Sequence, residues 1–170
     1  EALLRWRHPL RGTIPPNIIV DMAGDLGLME ELTWLVFDEV AGFIGRNQHL
    51  LGNRVVAMNI NRSCFLLPEF ADKVEERLRQ IPHVRGNIGF EVTEDSSFSE
   101  EEMPAALRQF QRLRQMGIRL AVDDFGTGYS GLDFVRRFPF DYLKIDQVFV
   151  HNLLADTVTE HVLTAVTGLA

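Results

Sequence analysis

Asn59, Glu91 and Asp123 carry hard oxygen donors, and each sits at the end of a short apolar run in the same phase. Side chains along a strand alternate between faces, so residues of equal parity share one side. Val55, Ala57 and Asn59 form one such set, Glu91 and Thr93 a second, Ala121 and Asp123 a third, and Lys144 and Asp146 a fourth. The neighbours of opposite parity are apolar: Val56 and Met58, Phe90 and Val92, Leu120 and Val122, Leu143 and Ile145. They suit packing beneath helices. Any one of the polar residues, taken alone, reads as the polar start of a loop. Their repetition over successive strands points instead to acid, amide and amine groups gathered at one rim. Oxygen donors of this kind suit Mg²⁺ or Mn²⁺ rather than zinc, and carboxylates brought close need a cation or a proton between them.

Asp123 and Asp124 are consecutive, so on a regular strand they point to opposite faces. Both reach one site only if the strand ends at Asp123. The following Phe125-Gly126-Thr127-Gly128-Tyr129-Ser130 supplies glycines for a tight loop there. An ordinary acidic turn with Asp124 in water fits the spacing about as well. Two adjacent carboxylates with others nearby are also what a two-metal phosphoryl site uses.

Positioning these groups requires short strands separated by helices. Strands are expected at Glu1–Trp6, Arg54–Ile60, Asn87–Thr93, Ile118–Asp123 and Asp141–Asp146, each rich in Val, Ile, Leu or Phe. Between them the apolar spacing lengthens to three and four. Residues 32, 35, 36, 40, 43 and 44 make one stripe of a helix over Met29–Gln48. A second helix follows a Ser99/Glu102 capping box and ends at Gly117, and a last one begins near Thr157. Strands and helices in alternation imply parallel βα units, in either a (β/α)₈ barrel or an open doubly wound sheet. No strand is followed by GxGxxG or GxxxxGK[ST], which tilts the choice to the barrel, whose site lies at the C-terminal strand ends.

Composition narrows the functions. With 170 residues, 46% of them hydrophobic and no linker or repeat, residues 1–170 read as a single α/β domain. A net charge of −7 and the lack of a Lys/Arg stripe argue against a duplex nucleic-acid binder. An anionic ligand must then be held by bound metal, Arg5 and Lys144. The apolar runs are too short to span a bilayer, so no membrane contact from this segment and a soluble, cytoplasmic setting are expected. Cys64 is the one cysteine, and the histidines show no zinc spacing. Cys64 is expected to pack as a small hydrophobe, and Trp6 and Trp34 to belong to the core.

At this point the residues spell a pattern. Glu1-Ala2-Leu3-Leu4-Arg5-Trp6 with His8-Pro9, Met58-Asn59-Ile60-Asn61, Glu91-Val92-Thr93-Glu94, Asp123-Asp124-Phe125-Gly126-Thr127-Gly128-Tyr129-Ser130 and Lys144-Ile145-Asp146 stand in the order of the EAL family. The chain resembles that family throughout its length. The resemblance implies a TIM-like (β/α)₈ barrel that hydrolyses cyclic di-GMP to linear pGpG with two Mg²⁺ or Mn²⁺ ions. Glu1, Asn59, Glu91 and Asp123 would hold metal and Asp124 would join at the second ion; Glu91 and Asp123 count with Lys144 as the catalytic set. Lys144 would hold or polarise the attacking water. Arg5 and Asp146 would contact substrate, and Glu94 would brace the loop after Asp124. Fused sensor or GGDEF domains are implied for the parent protein, and a homodimer is left open.

Departures from the pattern are Ala23-Gly24 in place of an Ala-Glu pair, Asn61 at a common Ser and Gly131 at a loop Ser. None falls on an implied ligand, so packing or loop effects are expected. A complete barrel takes about 250 residues, so the barrel is expected to be incomplete, with its first strand before Glu1 and its last strands, carrying a further metal Glu, after Ala170. Such an unclosed sheet is expected to be weakly stable and prone to associate. Two other readings stand beside hydrolysis: a catalytically silent cyclic di-GMP receptor or partner-binding module, and a metal-assisted barrel lyase or isomerase with Lys144 as base.

Overall fold

The N-terminal segment forms a hairpin that shares only Trp6 with the strand expected over Glu1–Trp6. In this computed structural model, which describes residues 1–93, 98–126 and 131–152, β1 (Trp6–His8) pairs antiparallel with β2 (Gly12–Ile14). Of the strand expected over Glu1–Trp6, only a parallel bridge from Ala2 to Met58 forms, with Ala2 N–H donating to Ala57 O at 2.7 Å. The turn chemistry explains the difference. His8 Nδ1 accepts from the backbone N–H of Leu10 and Arg11 at 3.1 and 3.2 Å, and Gly12 takes φ +71° to close the loop. Trp6 therefore leaves the core and is 40% exposed, contrary to expectation.

Helix α1 (Pro16–Asp25) starts on Pro16, whose missing N–H costs nothing in a first turn. It leads into α2 (Met29–Leu51), three residues longer than its sequence signal. Next come β3 (Val56–Asn59), α3 (Arg62–Leu66), α4 (Phe70–Gln80), β4 (Ile88–Thr93), α5 (Met103–Gln115), β5 (Arg119–Phe125), α6 (Gly131–Arg137), β6 (Tyr142–Ile145) and α7 (Gln147–Asn152). Strands β3, β4, β5 and β6 lie side by side in that order, all parallel, with helices between them in sequence. This is the α/β architecture of an incomplete TIM-like barrel. The helix expected near Thr157, Glu94 and the loop residues 127–130 lie outside the described residues.

The parity argument holds on the outer face. Met58, Phe90, Val92, Leu120 and Val122 are all fully buried, against Phe37 and Ile44 of α2, Val74 and Leu78 of α4 and Phe110 and Leu113 of α5. Each such side chain contributes about 1.5–3 kcal/mol by leaving water. Phe110 stacks on Phe65 with ring centroids 4.5 Å apart and meets Phe138 at the same distance, joining α3, α5 and the end of α6. Cys64 is buried, as expected, with Sγ 3.4 Å from Thr33 Oγ1. Trp34 is partly buried against Phe37 and Phe70, with the Arg77 guanidinium 4.0 Å above its ring.

Polar side chains close the connections. The capping box forms as expected: Ser99 N–H donates to Glu102 Oε2 at 2.8 Å and Glu102 N–H to Ser99 Oγ at 3.3 Å. Gly117 follows α5 at φ +87°. Asn61 explains one departure from the family pattern, because its Oδ1 accepts from Ser63 N–H at 2.9 Å and caps α3 as a serine would. Asn87 is buried and its Nδ2 donates to Gly52 O and Arg54 O, fixing the approach to β3.

Candidate active site

The sheet places the polar rim by register. Asn59 pairs with Glu91 across β3 and β4, whereas Asp123 pairs with Thr93 across β4 and β5. Asp123 thus stands one pleat further along its strand than Glu91, the stagger of strands that tilt in a barrel. Beneath Glu91 lies Gly89, where a Cβ would come within 2.7 Å of Val55 Cγ1 and 3.5 Å of Ala57 Cβ. Val55, Ala57 and Gly89 therefore share the inner side, as parity requires. The bulk of Val55 is accommodated only because residue 89 has no side chain.

Three carboxylates from three segments meet above this layer. One oxygen each of Glu1, Glu91 and Asp123 lies within 4.8 Å of the other two. Lys144 of β6 sits among them, its Nζ 3.2 Å from Glu1 Oε2, 2.9 Å from Glu91 Oε2 and 2.9 Å from Asp123 Oδ1. Asn59 joins through Nδ2, which donates to Glu1 Oε1 at 3.1 Å. Glu1 reaches the cluster because the Ala2 bridge pins its neighbour to the edge of β3.

Burial and charge set the protonation. The Glu91 side chain is 5% exposed, and burial pushes its pKa above the ordinary value against the opposing Lys144 hydrogen bond, with the Glu1 and Asp123 charges adding to the rise. Burial works the same way on Glu1, yet hydrogen bonds from Asn59 and Lys144 outweigh it and hold Glu1 below the ordinary value. Burial disfavours the charge on Lys144, but hydrogen bonds to Glu91, Asp123 and Glu1 win, and its pKa is raised well above that of a free lysine. With the carboxylates ionised, one ammonium facing three of them leaves two negative charges unbalanced. That deficit, presented by oxygen donors alone, is what a hard divalent cation fits.

The strand does not end at Asp123 as expected, and Asp124 is not part of the group formed by Glu1, Glu91 and Asp123. Strand pairing continues past Asp123 to Phe125, which pairs with Ile145, but the register shifts between Val122 and Phe125. Within that bulge Asp124 has φ +54°, a left-handed conformation that aspartate tolerates better than most residues. Alternation is broken locally. Burial, then the charges of Asp123 and Asp146, raise the Asp124 pKa, and its carboxyl is hydrogen-bonded to Asp146. Asp146 also accepts from Val148 N–H at 2.7 Å and so caps α7. Phe149 of α7 lies where a Cβ on Gly126 would fall, 2.5 Å away, so the loop after Asp124 can begin there only with glycine.

Arg5 stands apart from the carboxylates, exposed, with Nη1 donating to Leu4 O. It lines one cleft of about 510 Å³ together with Asn59 and Glu91. The same cleft takes in Asn17 and Asp21 of α1, which the sequence reading missed. Pro15-Pro16 was the signal available, a helix start without a strong apolar stripe behind it.

Fold and site together define a (β/α)-barrel protein with an acidic cluster at its C-terminal rim. The chain belongs to the EAL domain family, whose profile matches residues 1–170. It is 35% identical over 171 residues to the probable cyclic di-GMP phosphodiesterase PdeN of Escherichia coli, covering all of this chain and 32% of that protein. It is 31% identical over 171 residues to the cyclic di-GMP phosphodiesterase PdeL of Escherichia coli, covering all of this chain and 47% of PdeL. The chain thus spans less than half of each of these relatives. Among solved structures, the PaMucR phosphodiesterase in complex with c-di-GMP superposes with a TM-score of 0.83 at 30% identity, over 98% of this chain and 67% of that one. Among the described residues no helix is long and apolar enough to cross a membrane.

Proposed function

We propose that the intact protein hydrolyses cyclic di-GMP to linear pGpG at this rim, with Mg²⁺ or Mn²⁺ held by Glu1, Asn59, Glu91, Asp123 and Asp124. The observation that carries the reading is the convergence of Glu1, Glu91 and Asp123 around Lys144 with negative charge left over. The relatives named for this activity support it. Divalent ions bound there would supply Lewis-acid stabilisation of charge on the reacting phosphodiester.

The chain's own residues have separable tasks. Arg5 neutralises a substrate phosphate from the cleft wall. Lys144, held charged by three carboxylates, acts as a donor: it orients a water's oxygen and stabilises negative charge. Glu91, buried on β4 with Lys144 Nζ 2.9 Å away, is fixed in place to present its carboxylate to an ion. Asp146, at the end of β6 beside Lys144, contacts the substrate as part of this proposal. Glu94, outside the described residues, keeps its loop-bracing role as part of this proposal.

The adjacent Asp123-Asp124 pair and the amide of Asn59 favour phosphodiester chemistry over the lyase or isomerase reading.

The test is incubation of the intact protein with cyclic di-GMP and Mg²⁺ or Mn²⁺, with product resolved by chromatography, for wild type and Glu91→Ala. Linear pGpG from the wild type and none from the variant supports the proposal. Tight binding without turnover would replace it by the receptor reading.

A further inference from the structure

We infer that Asp21, on the outer wall of the cleft, reads the base of the substrate and selects guanine; this rests on the proposal that the cleft holds a cyclic dinucleotide. One continuous space joins Glu91 and Asn59 at the reacting end to Arg5 and then to Asn17 and Asp21 of α1. Its volume of about 510 Å³ is in the range of small-ligand sites, so a single ligand can touch both ends. Leu32 and Val36 of α2 form an apolar part of the wall against which the face of a base can lie.

Charge makes Asp21 informative. The ligand is an anion, so a carboxylate on the wall repels its phosphates and is useful only toward hydrogen-bond donors. Among the described residues Asp21, like Asp25 on the same helix, forms no hydrogen bond or ion pair, and what sets Asp21 apart is its place in the cleft lining. Its two oxygens accept only. Guanine presents N1–H and the N2 amino group side by side, two donors that a carboxylate can take in parallel. Adenine has an acceptor at N1 and no N2 amino group, so it would leave the carboxylate facing a lone pair. Asn17 stands four residues before Asp21, hence on the same helix face, and its amide can donate to the guanine O6.

The experiment measures turnover of cyclic di-GMP and cyclic di-AMP by the intact protein with Mg²⁺, comparing wild type, Asp21→Ala and Asp25→Ala. Asp25 lies one turn further along α1 and outside the cleft lining, so its variant controls for loss of charge alone. Both residues are exposed on a helix, where alanine is well tolerated. The expected result is a KM for cyclic di-GMP raised about 10- to 100-fold in Asp21→Ala, with kcat retained and the preference over cyclic di-AMP reduced to match. Asp25→Ala should match the wild type. An unchanged KM and preference in Asp21→Ala, or an equal rise in Asp25→Ala, overturns the inference. If the wild type turns over neither dinucleotide, hydrolysis is refuted and calorimetric binding of cyclic di-GMP decides the role of Asp21. Weaker binding by Asp21→Ala upholds it, and unchanged binding or none by the wild type overturns it.

Discussion

Lys144 Nζ donates to Glu91 Oε2 at 2.9 Å, joining β6 to β4 across the intervening β5. The contact crosses the inner side of the sheet and is made at its C-terminal rim. It holds a buried carboxylate beside the one cation that faces it among the described residues. Replacing Lys144 by Met keeps much of the stem and removes the charge, so Glu91 is left with Glu1 and Asp123 as its charged neighbours. With divalent ions chelated, Lys144→Met should lose about 1–3 kcal/mol in urea unfolding, a range discounted from that of a fully buried pair because the lysine side chain is 35% exposed. Its kcat should fall about 100-fold or more. Unchanged stability with full turnover would show that the lysine does neither task.

Chelation itself is a second test. EDTA should abolish hydrolysis, and Mg²⁺ or Mn²⁺ should restore it. At an ion concentration about 100 times the dissociation constant, the wild type should gain ~2.7 kcal/mol of stability per site. Glu91→Gln should reduce that gain. A melting temperature independent of Mg²⁺ and Mn²⁺ in the wild type would contradict the assignment of the oxygen cluster.

Asp124 offers a pH signature. Its pKa is raised in the folded chain, so the folded state holds this proton more tightly than the unfolded one. Its favourable contribution is complete below the ordinary aspartate value and is lost as pH rises through the folded value. In metal-free protein, Asp124→Asn should therefore be more stable than wild type at neutral pH, by under about 1 kcal/mol for so exposed a group. The two should converge as pH falls below about 3.8. Asparagine accepts a left-handed φ as readily as aspartate, so the bulge survives the change. A gap that widens in acid would mean the environment of Asp124 is misassigned.

Gly89 probes the inner layer. A methyl there would meet Val55 Cγ1 at 2.7 Å and the Arg119 carbonyl oxygen at 3.2 Å. Gly89→Ala should cost about 1–3 kcal/mol by overpacking, read from the urea midpoint. It should also reduce turnover, because Glu91 is two residues along the same strand. A neutral Gly89→Ala would imply that the inner face is looser than these distances require.

What the residues determined unaided was type and phase. Period-two alternation identified the strands that became β3, β4, β5 and β6 and assigned the outer face, because Met58, Phe90 and Leu120 must leave water whatever the details of the fold. The same alternation put Asn59, Glu91, Asp123 and Lys144 on the opposite side, and the ordered motifs from Glu1-Ala2-Leu3 to Lys144-Ile145-Asp146 suggested the family. Three features were decided only in three dimensions. His8 and Gly12 set a hairpin just beyond the first expected strand, of which a single bridge from Ala2 to β3 remains. The bulge at Asp124 carried β5 past Asp123 and gave Asp124 a left-handed φ, which depends on how β5 pairs with β6 and not on any local preference. Asp21 entered the cleft because α1 packs against α2, and contacts between distant segments leave no period in a sequence.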